Sequence, residues 1–270
     1  MCAIEAGRRG RHVIVLDHAN KAGKKILMSG GGRCNFTNID VTADNFISHN
    51  PHFCKSALSR YSQWDFIAMV NKHHIPYHQR DLGKLFCDDS AKDILNMLLA
   101  ECEKAKVKII LKCEIKNINK SQAGRFEIAS SSGDYIASSL VIACGGLSIP
   151  KMCASPLGYK IAEQFENHVW PTTAGLVPFT LQPIDKENLE KLSGISVDSA
   201  VTNERMQFNE NILFTHRGLS GPAILQISSY WQPGENITVN LLTESDIAEQ
   251  IKTRQKRQTN IKLKTVIKET

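Results

Sequence analysis

Sixteen residues, Gly23 to Asn38 (GKKILMSGGGRCNFTN), gather the groups in this chain best suited to chemistry. Three consecutive glycines, Gly30, Gly31 and Gly32, follow Ser29 and lead directly into Arg33, Cys34 and Asn35. Glycine lacks a Cβ, so such a loop can adopt positive φ and bring bare main chain against a ligand. Backbone N–H groups that converge in this way bind anions, and Ser29, Arg33 and Asn35 add side-chain donors. Lys24 and Lys25 add positive charge just upstream. The functional reading is a cradle for a diphosphate or for the electron-rich edge of a flavin ring. The alternative is a surface turn, which triple glycine alone would favour. The four polar groups beside the glycines tip the balance toward the cradle.

A second group of residues sits at the ends of apolar runs. Val13 to Leu16 forms a continuous apolar run that ends in Asp17. Unbroken hydrophobicity predicts a strand buried on both faces, as in a parallel sheet. Helix, short turn, buried strand and terminal acid make up the second half of a dinucleotide-binding βαβ unit, where the acid accepts ribose hydroxyls. An acid that merely ends a strand in water is an equally good local reading. Leu140 to Ala143 is another apolar run, and Cys144, Gly145 and Gly146 follow it. Paired glycines after a strand let backbone approach a ligand at the carboxyl edge of an open sheet. His73, His74 and His78 invite comparison with a metal site, but adjacent histidines at a helix end more often point apart, and no metal is expected. His216 is a candidate acid/base group, although a histidine bonded to a neighbouring loop is the commoner outcome.

The elements that must position these groups follow from pattern. At 270 residues and 42% hydrophobic, the chain can build one large or two modest domains. No apolar run reaches membrane-spanning length and no signal peptide is evident. Eight cysteines without a CxxC pattern suggest reduced thiols in a cytoplasmic protein. The net charge of +6 is local: residues 251–270 carry seven Lys or Arg and one Glu, while the preceding 250 residues balance. A solvated helix face accounts for that tail, and a nucleic-acid partner is not expected.

Residues 1–10 read as the end of a helix. Residues 43–106 read as mostly helical, with a capping box at Ser62–Asp65, a hairpin of Tyr77–Gln79 with Lys84–Cys87, and a helix capped by Ser90. From Val107 the chain reads β: Val107–Leu111 continues into Glu114–Ile118, and Gly124 and Gly133 turn a small meander. Pro156–Phe165 reads as helix. A second, β-rich region spans 173–243, with strands at Leu176–Leu181, Val197–Val201, Ile212–Phe214 and Ile237–Leu242, and a helix capped by Ser220 with Pro222 in its first turn. Residues 244–270 begin a basic helical segment. The fold class is α/β: an incomplete Rossmann-like domain over 1–172 and the β-rich second domain.

The stretch KKILMSGGGRCNFTN resembles the hallmark of the BaiN/YhiN-like NAD(P)/FAD-dependent oxidoreductases, a family that includes aminoacetone oxidases. CGGLSIPKM and LFTHRGLSGPAIL are similar to two further motifs of that family, in the same order. The resemblance implies a glutathione-reductase-type FAD domain, with NAD(P)H as a candidate electron donor and a small organic substrate. It implies that Asp17 holds the adenosine ribose. Lys25, Ser29, Gly30, Gly31, Gly32, Arg33, Cys34 and Asn35 would line the flavin. Ile115 would lie on the strand meeting the adenine, and Ala143, Gly145 and Gly146 would sit under the cofactor.

There are departures from that pattern. The family's opening Gly-x-Gly-x-x-Gly loop and its C-terminal FAD segment do not occur in these 270 residues. Cys144 stands where the family has Thr, and Cys153 where it has Gly. The expectation is a fragment broken at both ends, of flavoenzyme lineage. The rivals are a remnant that holds no flavin and a protein that acts on nucleic acid through its basic tail.

Overall fold

The computed structural model describes residues 1–149, 152, 154–243 and 247–257. It divides into two compact units, Met1–Val169 and Trp170–Thr270. The first contains α1 (Cys2–Arg8), β1 (Ile14–Leu16), α2 (Lys24–Met28), β2 (Asn35–Asn38), α3 (Lys55–Arg60), α4 (Gln63–Lys72), β3 (Tyr77–Gln79), β4 (Lys84–Cys87), α5 (Ala91–Lys104), β5 (Lys108–Ile110), β6 (Ile115–Lys120), β7 (Phe126–Ser130), β8 (Gly133–Ala137) and α6 (Leu157–Gln164). The second contains β9 (Phe179–Thr180), α7 (Pro183–Leu189), β10 (Ser196–Thr202), β11 (Gln207–Thr215), β12 (Gly218–Ser220), α8 (Pro222–Ile227), β13 (Thr238–Asn240) and α9 (Ile247–Arg257). It is an α/β protein with a Rossmann-like unit followed by a β-rich one. Residues 258–270, most of the basic tail, lie outside the described residues, as does Cys153.

In the first unit β1 pairs in parallel with β5, Val15 opposite Ile109. Ile14 is 47% exposed, so this strand is not buried on both faces as predicted; the sheet holds two strands among the described residues, and its outward face is open. β5 does not continue into β6. Lys112 takes φ 55°, the chain turns, and β6 joins β7 and β8 in a separate antiparallel meander. Extended L-residues cannot hold that φ, so one long strand becomes two. A third sheet, ordered β2-β4-β3, contains the expected hairpin with Tyr77 opposite Cys87, and adds β2, which the sequence left as loop.

α5 is the pillar of this unit. Ser90 Oγ accepts the Lys92 N–H at 3.2 Å, which satisfies an otherwise orphaned helix donor. Ile94 and Met97, one turn apart, are buried with Val70 of α4, Cys87 of β4 and Cys34. The Ser62 backbone N–H and hydroxyl both donate to the Asp65 carboxylate at 2.7 Å and start α4 as expected.

In the second unit the sheet order is β13-β10-β11-β12-β9, antiparallel throughout. α8 covers it: Ala223, Ile224 and Ile227 are fully buried against Val201, Ile212 and Phe214. Ser220 belongs to β12 and does not cap α8. The cap position is Gly221, at φ 93°, where a Cβ would come within 2.7 Å of the Asn211 carbonyl oxygen. Pro222 follows at the first helical position, as predicted. Only Phe179 and Thr180 of the Leu176–Leu181 run form a strand; Leu176 has φ 55° and is exposed.

Candidate functional site

β1 ends where Asp17 begins a tightly pinned turn. The Asp17 N–H donates to the Ile110 carbonyl at 2.9 Å, and the Asp17 carbonyl accepts from the Cys113 N–H at 3.0 Å. Its carboxylate Oδ1 accepts the Ala19 N–H at 2.9 Å, an Asx turn that fixes the side chain beyond the strand end. The Asp17 side chain is 38% exposed, so the carboxylate is both oriented and reachable.

Two further segments converge here. Lys25, in the first turn of α2, places Nζ 3.8 Å from where a Cβ on Gly145 would stand. Gly145 has φ 72°, a backbone state that L side chains rarely adopt. Asp17 is near enough to Cys144 to help raise its thiol pKa, though burial of the thiol is the larger cause. Gly158 of α6 backs the same segment, its missing Cβ 3.3 Å from Ile142 Cγ2. Ile115 and Leu16 pack in one apolar cluster around Ile118, Ile128 and Ile161. The fold therefore brings Asp17, Lys25, Ile115 and Gly145 to one end of β1. Gly146 lies beside Tyr159, whose hydroxyl is 3.1 Å from the missing Cβ.

Leu140–Ala143 is a correction. It forms no strand, and Val141 and Ile142 are 63% and 41% exposed. A continuous apolar run becomes a buried strand only when neighbouring strands pair with it on the sheet. Among the described residues none does, and Ala143 and Gly145 lie exposed in a connection without regular structure.

The glycine loop has its own geometry. Gly30, Gly31 and Gly32 take φ of 57°, 64° and 88°. A Cβ on Gly30 would come within 2.6 Å of the Asn35 nitrogen and 2.9 Å of Phe86 Cε1, while the space beside Gly31 and Gly32 is open. Gly30 lets the loop fold onto β4, and the next two glycines present bare main chain outward. The loop closes through the Cys34 N–H to the Ser29 carbonyl at 3.0 Å and the Cys87 N–H to the Arg33 carbonyl at 2.9 Å.

Several side chains assigned to this loop are engaged within the protein. Ser29 Oγ donates to the Ile26 carbonyl at 2.8 Å. Cys34 is buried in the α5 core. The Asn35 amide, oriented with its nitrogen toward the carbonyls of Thr37 and Leu85, donates to both at 3.1 and 3.2 Å. Arg33 and Lys25 remain as exposed cations. Sequence reasoning counted Ser29 and Asn35 as ligand donors because it could not see these internal acceptors.

The histidines go elsewhere. His73 Nε2 lies 2.8 Å from Glu101, and His78 Nδ1 lies 2.6 Å from Asp88. His216 occupies the turn between β11 and β12, where Thr215 Oγ1 accepts the Gly218 N–H at 3.1 Å.

Residues 1–196 match a family model described as the HI0933-like protein Rossmann domain, and residues 173–270 match the HI0933-like protein barrel and H2TH domain. The chain belongs to the HI0933-like family. It is 55% identical over 247 residues to a ribosomal RNA dihydrouridine synthase of Escherichia coli strain K12, covering 91% of this chain and 62% of that protein. A ribosomal RNA dihydrouridine synthase of Haemophilus influenzae Rd is 46% identical over 270 residues, covering 98% and 67%. A 3-dehydro-bile acid delta(4,6)-reductase of Clostridium scindens is 26% identical over 242 residues, covering 87% and 58%. The chain thus spans about three-fifths of the length of its E. coli relative. No described helix is long and apolar enough to cross a membrane.

Proposed function

We propose that this member of the HI0933-like family is a flavin-dependent oxidoreductase that reduces uridine in ribosomal RNA. The observation that carries the reading is the meeting of Asp17, Lys25 and Gly145 at the end of β1, in a chain 55% identical to a ribosomal RNA dihydrouridine synthase. RNA then stands in place of the small organic substrate that the family resemblance implies, because the relatives at 46–55% identity are ribosomal RNA dihydrouridine synthases.

The residues present fit parts of FAD. The Asp17 carboxylate, held by the Ala19 N–H, is an acceptor suited to ribose hydroxyls. Gly31, Gly32 and Gly145 offer main chain that no Cβ shields. Lys25 supplies a cation beside Gly145 that would stabilise negative charge on a bound ring. Arg33, exposed on the loop, suits a phosphate oxygen. Bound FAD would supply the two-electron carrier between NAD(P)H and a carbon–carbon double bond.

One specific observation favours a second reading, in which the chain folds but holds no flavin. The two-stranded sheet leaves Ile14, Val141 and Ile142 exposed where a nucleotide-binding sheet would be covered. One experiment separates the two. The purified chain is saturated with FAD, passed through gel filtration and examined for a flavin spectrum. Ribosomal RNA from cells that lack their own synthase but express this chain is digested and assayed for dihydrouridine by mass spectrometry. Retained flavin with restored dihydrouridine supports the proposal; colourless protein and unmodified RNA would sink it.

A further inference from the structure

The stretch from Asn45 to Trp64 contains no Asp or Glu in twenty residues, yet carries Lys55 and Arg60. It also holds an unusual share of exposed rings. Phe46 is 42% exposed, Phe53 69%, Tyr61 37% and Trp64 58%. A folded chain ordinarily buries such rings, because each can remove about 150–250 Å² from water. Several exposed rings within one short stretch mark a candidate interaction site.

Two local structures carry these side chains. Thr42 and Asn45 form a capping box, and Cys54 Sγ donates to the Ala43 carbonyl at 3.7 Å. That contact closes residues 43–54 into a loop bearing Phe46 and Phe53. The Tyr61 N–H donates to the Ala57 carbonyl at 3.0 Å and ends α3, and α4 starts at Gln63, so Tyr61 and Trp64 flank one corner. Asp65, which follows directly, accepts from Ser62 in the capping box, and it and Glu5 are the acids close enough to act on Tyr61.

We infer that Phe46, Phe53, Tyr61 and Trp64, with Lys55 and Arg60, form a docking surface for unpaired RNA. The inference rests on the ribosomal RNA reading above and deepens it. Rings alone would suit another protein, and cations alone any polyanion. Their interleaving along a stretch that carries no acid of its own matches single-stranded nucleic acid, whose bases stack on aromatic faces while the phosphates meet Lys and Arg. Reduction of a uridine ring needs that base out of its helix, so a surface that grips the unpaired strand serves the same reaction.

The test uses the whole chain and a fluorescent single-stranded oligouridylate of about 16 nucleotides, with a duplex RNA of equal length as control. Binding is read by anisotropy. Trp64→Ala and Phe53→Ala should each weaken single-strand binding roughly 5- to 100-fold, with thermal unfolding unchanged. K55Q/R60Q should lower the salt slope by about 1.4. Single-strand binding that survives Trp64→Ala and Phe53→Ala, or no preference over duplex, overturns the inference. So does a change from dimer to monomer on substitution without loss of RNA binding, which would assign the patch to a second copy of the chain. Flavin content, read on the same samples, fails separately: colourless parent protein counts against the flavin reading and leaves the RNA measurement standing.

Discussion

Gly30 and Gly31 are adjacent and share one backbone state, but they do different jobs. Gly30→Ala should cost about 2–4 kcal/mol in urea unfolding, because left-handed φ is unfavourable and the new Cβ meets the Asn35 nitrogen. Gly31→Ala meets only open space and should cost about 1 kcal/mol. If the cradle reading is right, Gly31→Ala nonetheless weakens flavin retention, since its Cβ would occupy ligand space. Equal unfolding losses for both variants would remove the assigned distinction. At the end of β1, Asp17→Ala should loosen FAD about tenfold, the worth of one hydrogen bond to a charged group, measured by flavin fluorescence on titration. The positive φ of the three glycines was legible from residue type, and the place of Asp17 just past a strand from the apolar run before it. The burial of Cys34 and the bond from Asn35 to Leu85 were not, because the α5 core and β4 lie far along the chain.

Among elements, the joint between α1, the end of α4 and α5 centres on Glu101, a carboxylate 2% exposed. Lys104 Nζ donates to it at 2.9 Å, His73 Nε2 stands 2.8 Å away, and Arg8 pairs with its other oxygen. Lys104, His73 and then Arg8 hold its pKa down to about 2, against the penalty of burial. A depressed carboxylate contributes stability that is present in full above about pH 4.5 and is lost as pH falls toward about 2. Glu101→Gln should therefore destabilise the protein by about 2 kcal/mol near neutrality, and the deficit should shrink as pH is lowered through that window. A deficit independent of pH would rule out the charge as its cause. Helix starts at Ser62 and Ser90 were readable from capping chemistry, as was the β3–β4 hairpin from its turn. β2 was not, because Asn35–Asn38 becomes strand only through pairing with β4. Leu140–Ala143 failed the opposite way: its hydrophobicity predicts a strand, and among the described residues no partner strand holds it in one.

For the whole molecule, the contact pattern divides the chain at Val169 and Trp170. Residues 167–178 have no regular structure and are mostly exposed. Brief treatment with proteinase K should cut there first and release two fragments, identified by mass spectrometry. First cuts inside α5 or β11 would contradict this division. Charge shows how scale misleads. Over the first 250 residues acids and bases balance, which argues against nucleic acid, whereas the acid-free stretch with its exposed rings argues for it. By itself the sequence determined the α/β class, a flavoprotein-type family, the positive φ of the glycine loop and the helix starts at Ser62 and Ser90, because these rest on backbone preferences and on patterns of neighbouring residues. Only the tertiary structure decided that Lys25 meets Gly145, that Cys34 faces the core, and that four rings face outward, because these depend on contacts between segments far apart in the chain.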